Sequence, residues 1–128
     1  MEYEFRGKDK NGEWHYGYLL VRLGIHYILS PIWEMYRGKY TKTDRLEEHE
    51  VLAKTVGQYT NFKDKDHVKA FEGDVLRDLV NNTTFVVEFD DCGFQPLAYS
   101  YALCSEYIKI IGNIHDNPNI MQNEQTPS

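Results

Sequence analysis

Side chains that could support catalysis or metal binding are present, but they follow no recognised motif. The five histidines show neither the H-x-H nor the H-E-x-x-H spacing typical of zinc ligands. Glu88, Asp90 and Asp91 cluster at the end of a predicted strand, where carboxylates can act as acid and base or bind Mg²⁺. A solvated turn explains the same three residues more simply. Since the sequence also lacks a glycine-rich phosphate loop and a G-x-S-x-G turn, we expect no enzyme, no cofactor and no metal ion.

A second group of side chains could bind nucleic acid. Between Tyr36 and Arg45, four basic residues alternate with two tyrosines. The basic residues are Arg37, Lys39, Lys42 and Arg45. Such a composition suits a surface that follows a phosphate backbone and stacks on bases. A solvated loop whose tyrosines pack on the domain is the simpler explanation, and protein or anion binding is a further alternative.

Aromatic residues are abundant, with two tryptophans, ten tyrosines and six phenylalanines in 128 residues. A small β-rich core needs large side chains, so we assign Trp14, Phe85, Phe89 and most tyrosines to the core. Four aromatic residues fall in predicted loops and are candidate anchors of a protein interface. They are Trp33, Tyr36, Tyr40 and Phe94. We expect Trp33→Ala and Phe94→Ala to leave the fold largely intact.

Charge and targeting signals indicate a cytoplasmic protein. The net charge is −6, and residues 71–128 hold nine acidic and two basic residues, which disfavours broad nucleic-acid binding. Cys92 and Cys104 form no C-x-x-C pair, so we expect both to be reduced. The first residues contain no apolar signal segment, and no apolar run is long enough to span a membrane.

Short strands separated by turns predict a mainly β fold. Asn11-Gly12 predicts a tight hairpin, because both residues tolerate positive φ, and Gly17 in the following strand indicates a close approach or a bulge. We expect a strand over 25–29 that ends at Pro31, and a loop or one to two helical turns over 34–50. Further strands are predicted at 73–80, 84–89, 97–103 and 107–114.

These elements predict a small antiparallel barrel or sandwich built of hairpins, with at most one or two short helices. A chain of this length forms one domain, which we place at residues 1–115. The polar residues 116–128 should form a flexible tail.

Three segments give the sequence a specific resemblance. The first runs from Glu4-Phe5-Arg6-Gly7-Lys8 to Tyr16-Gly17-Tyr18-Leu19; the second runs from Gly57-Gln58-Tyr59-Thr60 to Phe71-Glu72-Gly73-Asp74-Val75. The third begins at Val86-Val87-Glu88-Phe89-Asp90-Asp91 and closes with Ile111-Gly112-Asn113-Ile114-His115-Asp116-Asn117-Pro118. In this order the segments resemble the YopX family of phage and prophage proteins, from about residue 3 to residue 119.

The resemblance implies a phage-derived, β-rich, intracellular protein, and it supplies no catalytic residues. The family usually has a glycine after Thr60 and another in the turn that follows Lys63-Asp64-Lys65. Asn61 and Asp66-His67 stand there instead; Asn61 can preserve a left-handed turn.

The sequence therefore favours a non-catalytic module that binds an unknown host or phage protein, or a second copy of itself. The alternatives are a small nucleic-acid-binding accessory protein that uses residues 36–45, and, more weakly, an enzyme that uses the Glu88, Asp90 and Asp91 carboxylates.

Overall fold

The protein is mainly β, as predicted. A computed structural model describes residues 4–90, 93–95 and 105–120, in which every strand pair is antiparallel. Within these ranges the helical content includes the short 3₁₀ turns Ala53–Thr55 and Ser105–Tyr107, and the strands do not close into a barrel. None of the helices formed by the described residues has the length and apolar character needed to cross a bilayer.

The chain divides into two compact units, one ending at Gln58 and the other beginning at Tyr59. Strand β5 (Gly57–Lys63) carries the chain from the first unit into the second. The assignment of residues 1–115 to a single domain stays a prediction.

The first unit is a series of hairpins. Its strands are β1 (Phe5–Lys8), β2 (Trp14–Arg22), β3 (Ile25–Tyr36) and β4 (Lys39–Val51), in the spatial order β4-β3-β2-β1, with the start of β5 beside β1. The antiparallel pairing of β1 with β2 confirms the predicted hairpin at Asn11-Gly12, in which Gly12 (φ +86°) but not Asn11 adopts positive φ. The next two hairpins turn at Leu23-Gly24 and Arg37-Gly38, with all four residues at positive φ, as type I′ turns require.

Residues 34–50 form strand rather than the predicted loop or short helix. They complete β3 and build most of β4, which pairs with β3 from His26↔Val51 to Tyr36↔Lys39. Pro31 does not end its strand either. The register of β2 with β3 runs only as far as Tyr18↔Leu29, so Pro31 lies where β3 pairs with β4 alone, and a bulge follows it. At such a position the missing N–H costs no ladder hydrogen bond.

The tyrosines depart from the predicted core. Three tyrosines assigned to the core are exposed: Tyr16, Tyr18 and Tyr107. Tyr36 and Tyr40 are exposed as well, in agreement with their assignment as candidate anchors. Tyr59, by contrast, is buried, and Trp14 is half-buried with the Arg6 guanidinium over its ring. More of the described tyrosines therefore lie at the surface than the core assignment predicts.

The second unit contains a three-stranded sheet and two smaller pairs. Its strands are β6 (Lys69–Phe71), β7 (Asp74–Asp78), β8 (Thr83–Val86), β9 (Glu88–Asp90), β10 (Gly93–Gln95) and β11 (Ile108–Asn113). The sheet has the order β11-β7-β8, while β6 pairs with β5 and β10 pairs with β9. Leu76, Val87 and Ile108 form its buried core, and Phe85 packs against them.

Asp64 organises the loop that follows β5. Its side chain is buried, and it accepts hydrogen bonds from the backbone N–H groups of Asp66 (2.8 Å), Val68 (3.0 Å) and Ile110 (3.1 Å). Burial opposes ionisation of this carboxyl, but those donors outweigh burial and lower its pKa. Asn61 has φ +67° inside β5, where the register with β6 is irregular between Tyr59 and Lys63, so it preserves the left-handed conformation as expected. His67, in the loop itself, has φ +65°.

The C-terminal predictions are partly tested. Strand β11 confirms the predicted strand at 107–114, whereas residues 97–103 and 121–128 lie outside the described ranges. Directly after β11, the Asn113 side chain accepts hydrogen bonds from the backbone N–H groups of His115 and Asp116. The first residues of the predicted tail therefore form an ordered turn.

Candidate functional site

The distal part of the β3–β4 hairpin is the most unusual surface of the described chain. We define the arm as residues 31–46, where β3 and β4 pair with each other beyond the end of the β2 register. Every residue from Trp33 to Lys42 is exposed, so neither face of this segment is buried. Four large apolar or aromatic side chains in it are 57% to 70% exposed: Trp33, Met35, Tyr36 and Tyr40.

The strand register sorts these side chains onto two faces. Trp33 lies opposite Lys42 and Met35 lies opposite Tyr40, and directly opposed residues share a face. This Trp33 face therefore presents two aromatic rings, a thioether and one ammonium group. The other face carries Glu34 opposite Thr41 and Tyr36 opposite Lys39.

The predicted interface anchors occupy strands rather than loops. Trp33 and Tyr36 belong to β3 and Tyr40 to β4, while Phe94 lies on β10 opposite Phe89. The sheet brings Trp33 and Tyr40 to one face and sends Tyr36 to the other. Phe94 belongs to the second unit, and its side chain lies outside the described part.

The basic residues predicted to bind nucleic acid are divided between the faces. Lys42 lies on the Trp33 face and Lys39 on the opposite one, while the Arg37 guanidinium lies 5.3 Å from the centre of the Tyr36 ring. Arg45 forms an ion pair with Glu34. The arm therefore lacks a single basic groove lined by aromatic rings, as far as its described side chains show.

The carboxylate cluster considered for catalysis is only partly described. Glu88 is exposed, the side chain of Asp90 lies outside the described part, and so does Asp91. A group of histidines and carboxylates in the first unit, by contrast, lies entirely within the described residues.

A cavity of about 350 Å³ lies in the first unit beside the β1–β2 turn. Its walls include Asp9, His15, Glu48, His49 and Glu50. The rings of His15 and His49 stack in it, with centroids 3.8 Å apart and planes inclined by 12°. Three carboxylates and two imidazoles give this cavity a lining rich in possible ligands; Lys10 also lines it, and Glu48 forms an ion pair with Arg22.

Asp9 is the best-fixed group of the cavity. One carboxylate oxygen, Oδ1, accepts the backbone N–H groups of Asn11 (2.8 Å) and Glu13 (3.0 Å), and the other, Oδ2, lies 2.9 Å from Nε2 of His15. An ionised carboxylate only accepts hydrogen bonds, so Nε2 of His15 is the donor. That bond, and then the backbone donors, lower the pKa of Asp9.

Sequence reasoning missed this cavity. His15 and His49 are 34 positions apart, on strands β2 and β4, which do not pair with each other. They meet where the end of β1 contacts the end of β4, since the N–H of Leu52 donates to the carbonyl oxygen of Lys8 (2.8 Å) and Lys8 pairs with Trp14, so motif spacing could not reveal them. The signal that was available is Asp9 before Asn11-Gly12, since a side chain at that position commonly accepts hydrogen bonds from turn amides.

The fold and the arm define a class: a mainly β protein of antiparallel hairpins, one of which exposes aromatic side chains on both faces. Within this class the chain belongs to the YopX family, whose model, described as YopX protein, matches residues 4–122. The crystal structure of protein EF1440 from Enterococcus faecalis is similar to it, with a TM-score of 0.59 and 18% sequence identity over 94% of this chain and 99% of that chain. At this identity the likeness concerns the fold alone. No curated protein matches the chain.

Proposed function

We propose that this chain is a non-catalytic protein-interaction module, encoded by a phage or prophage and acting in the bacterial cytoplasm. The arm is its binding element, and the Trp33 face, with Met35 and Tyr40, supplies the anchors. Family membership and the position of the arm support the proposal.

The observation that carries it is exposure on both faces of the arm. Two-stranded hairpins are marginally stable in water, and apolar side chains shown on both faces gain nothing from folding alone. Contiguous exposed apolar groups on a folded protein commonly mark contact surfaces, and tryptophan and tyrosine are enriched among residues that dominate binding energy. Trp33, Met35 and Tyr40 fit this description.

Charges on the arm specify the partner's chemistry. Because Glu34 neutralises Arg45, three basic residues remain at the end of the arm: Arg37, Lys39 and Lys42. They flank the aromatic rings. A protein surface with an apolar groove and an acidic rim is complementary to this arrangement.

Nucleic-acid binding is the second candidate, favoured by the same three basic residues and by the aromatic rings. Four phosphate contacts, including Arg45, would give a logarithmic salt slope of about −3. The division of the basic residues between two faces counts against it. A binding curve for single-stranded DNA with that slope would support this candidate instead.

Removal of an anchor should affect binding and leave folding unchanged. We expect Trp33→Ala to weaken partner binding about 30-fold, the effect of losing a typical interface hot spot of ~2 kcal/mol. The melting temperature should change little, because the Trp33 side chain is 57% exposed. Calorimetric titration with the purified partner and a thermal melt measure the two quantities.

Tyr18→Ala is the matched control, because Tyr18 is 56% exposed on β2 outside the arm. The partner is captured with the intact chain from nuclease-treated bacterial lysate, identified, purified and titrated. Equal affinity of the Trp33→Ala and Tyr18→Ala variants would refute the arm as the binding element. A concentration-dependent dimer in light scattering that Trp33→Ala abolishes would identify the partner as a second copy.

A further inference from the structure

The β1–β2 turn beside the cavity brings together a set of metal-ligating atoms that the proposed function does not use. One ligand atom from each of Asp9, Glu13 and His15 lies within 4.8 Å of the other two. The set is mixed, with one imidazole and two carboxylates. Asp9 and His15 are largely shielded from solvent, with side-chain exposures of 17% and 15%.

We propose that Asp9, Glu13 and His15 bind one divalent transition-metal ion, with Zn²⁺ as the best fit. His15 would bind through Nε2, Asp9 through Oδ2 and Glu13 through its carboxylate, leaving a fourth position for water. Imidazole with carboxylate ligands suits Zn²⁺ and its neighbours, whereas Mg²⁺ and Ca²⁺ prefer oxygen donors alone. The proposal is independent of the arm.

The spacing of two ligands already approaches that of a tetrahedral centre. Bonds of 2.0–2.1 Å to zinc place neighbouring tetrahedral ligands about 3.3 Å apart. Nε2 of His15 and Oδ2 of Asp9 are 2.9 Å apart, so a slight separation admits an ion in place of the shared proton. That proton passes to Nδ1 of the same ring or to solvent. Glu13 is exposed and can rotate towards the ion.

The surroundings hold both ligands in place. The two backbone N–H groups on Oδ1 fix the Asp9 carboxylate while leaving Oδ2 directed at His15. Stacking against His49 fixes the plane of the His15 ring. Outer contacts of this kind commonly orient metal ligands.

His49 is a positioning residue rather than a ligand in this arrangement. Its ring is nearly parallel to that of His15, so the in-plane lone pairs of the two rings cannot converge on one ion. An aromatic ring without nitrogen should therefore replace His49 with little loss of metal affinity, whereas the same change at His15 removes a ligand and should weaken binding strongly.

The test is calorimetric titration of the full chain with Zn²⁺, together with the visible absorption of bound Co²⁺. We expect one equivalent of Zn²⁺ and a tetrahedral Co²⁺ spectrum. Affinity should fall at least about tenfold in His15→Phe and in Glu13→Gln, and stay within about threefold in His49→Phe. Glu13→Gln keeps the test decisive if His15→Phe fails to fold, because Glu13 is exposed.

His67→Asn is the control for removal of a histidine elsewhere, since asparagine tolerates the φ of +65° found there. An affinity unchanged in Glu13→Gln and His15→Phe would show adventitious binding and overturn the proposal. So would the absence of saturable binding, or equal losses in His67→Asn.

Discussion

Gly17→Ala is expected to destabilise the first unit by about 3 kcal/mol, the upper range for overpacking a close contact. An ideal Cβ on Gly17 would lie 2.0 Å from the carbonyl oxygen of Leu29 and 2.9 Å from its carbonyl carbon. Both atoms are backbone, so the clash is relieved only by separating β2 from β3 near Tyr18↔Leu29. A fall in melting temperature of about 10 °C or more measures the effect.

Gly24→Ala is the matched substitution for Gly17→Ala. Gly24 has φ +79° but open space around its Cβ position, so alanine costs only the backbone strain of about 1 kcal/mol. Equal stability losses at the two positions would mean that β2 and β3 do not approach as closely as described. The predicted close approach at Gly17 is confirmed by the geometry.

Asp64→Asn is expected to destabilise the second unit by about 2–3 kcal/mol. The substitution puts an amide NH₂ against at least one of the backbone donors that the carboxylate now satisfies, and an unsatisfied buried donor costs about 1–3 kcal/mol. The asparagine side chain should orient its NH₂ group to the Oδ2 position, which receives one donor, rather than to the Oδ1 position, which receives two. The N–H of Ile110, which bonds Oδ2, then loses its acceptor. Denaturant unfolding measures the change.

Asp64 also makes stability depend on pH in a defined direction. Its pKa in the folded state is below the ordinary 3.8, so the unfolded chain binds the proton more tightly. The stability that ionised Asp64 contributes is therefore complete above about pH 4, and it declines as the pH falls through the pKa of Asp64 in the folded state. Asp64→Asn should flatten the curve below about pH 4.

Local turn chemistry made much of the fold predictable. Asn11-Gly12 predicts the first hairpin, and Asn81-Asn82 lies in the gap between the predicted strands 73–80 and 84–89, where β7 turns into β8. At both positions the sequence supplies residues that accept positive φ, and Gly12 and Asn82 adopt it. Conformations determined within two or three residues could thus be inferred without knowledge of the partners.

The arm could not be inferred in this way. A strand is recognised by alternation between a buried and an exposed face, and β4 from Lys39 to Lys42 buries neither. The predicted end of β3 at Pro31 is wrong for a similar reason. A strand can contain a proline where its neighbour has stopped pairing, and the sequence does not show that β2 stops pairing at Leu29. The cavity was also missed, since its two imidazoles meet through a contact between the ends of β1 and β4 that no local pattern encodes.

Strand β4 has a consequence for the behaviour of the protein at high concentration. It is the first strand in the order of its sheet, and a long, flat outer strand ordinarily invites a neighbouring molecule to extend the sheet into an aggregate. Seven of its thirteen residues are lysine, arginine, aspartate or glutamate, and the bulge opposite Ile32 breaks its regularity. Charge and irregularity disfavour such sheet extension, so we expect the exposed aromatic rings of the arm to be compatible with a protein that does not aggregate through β4.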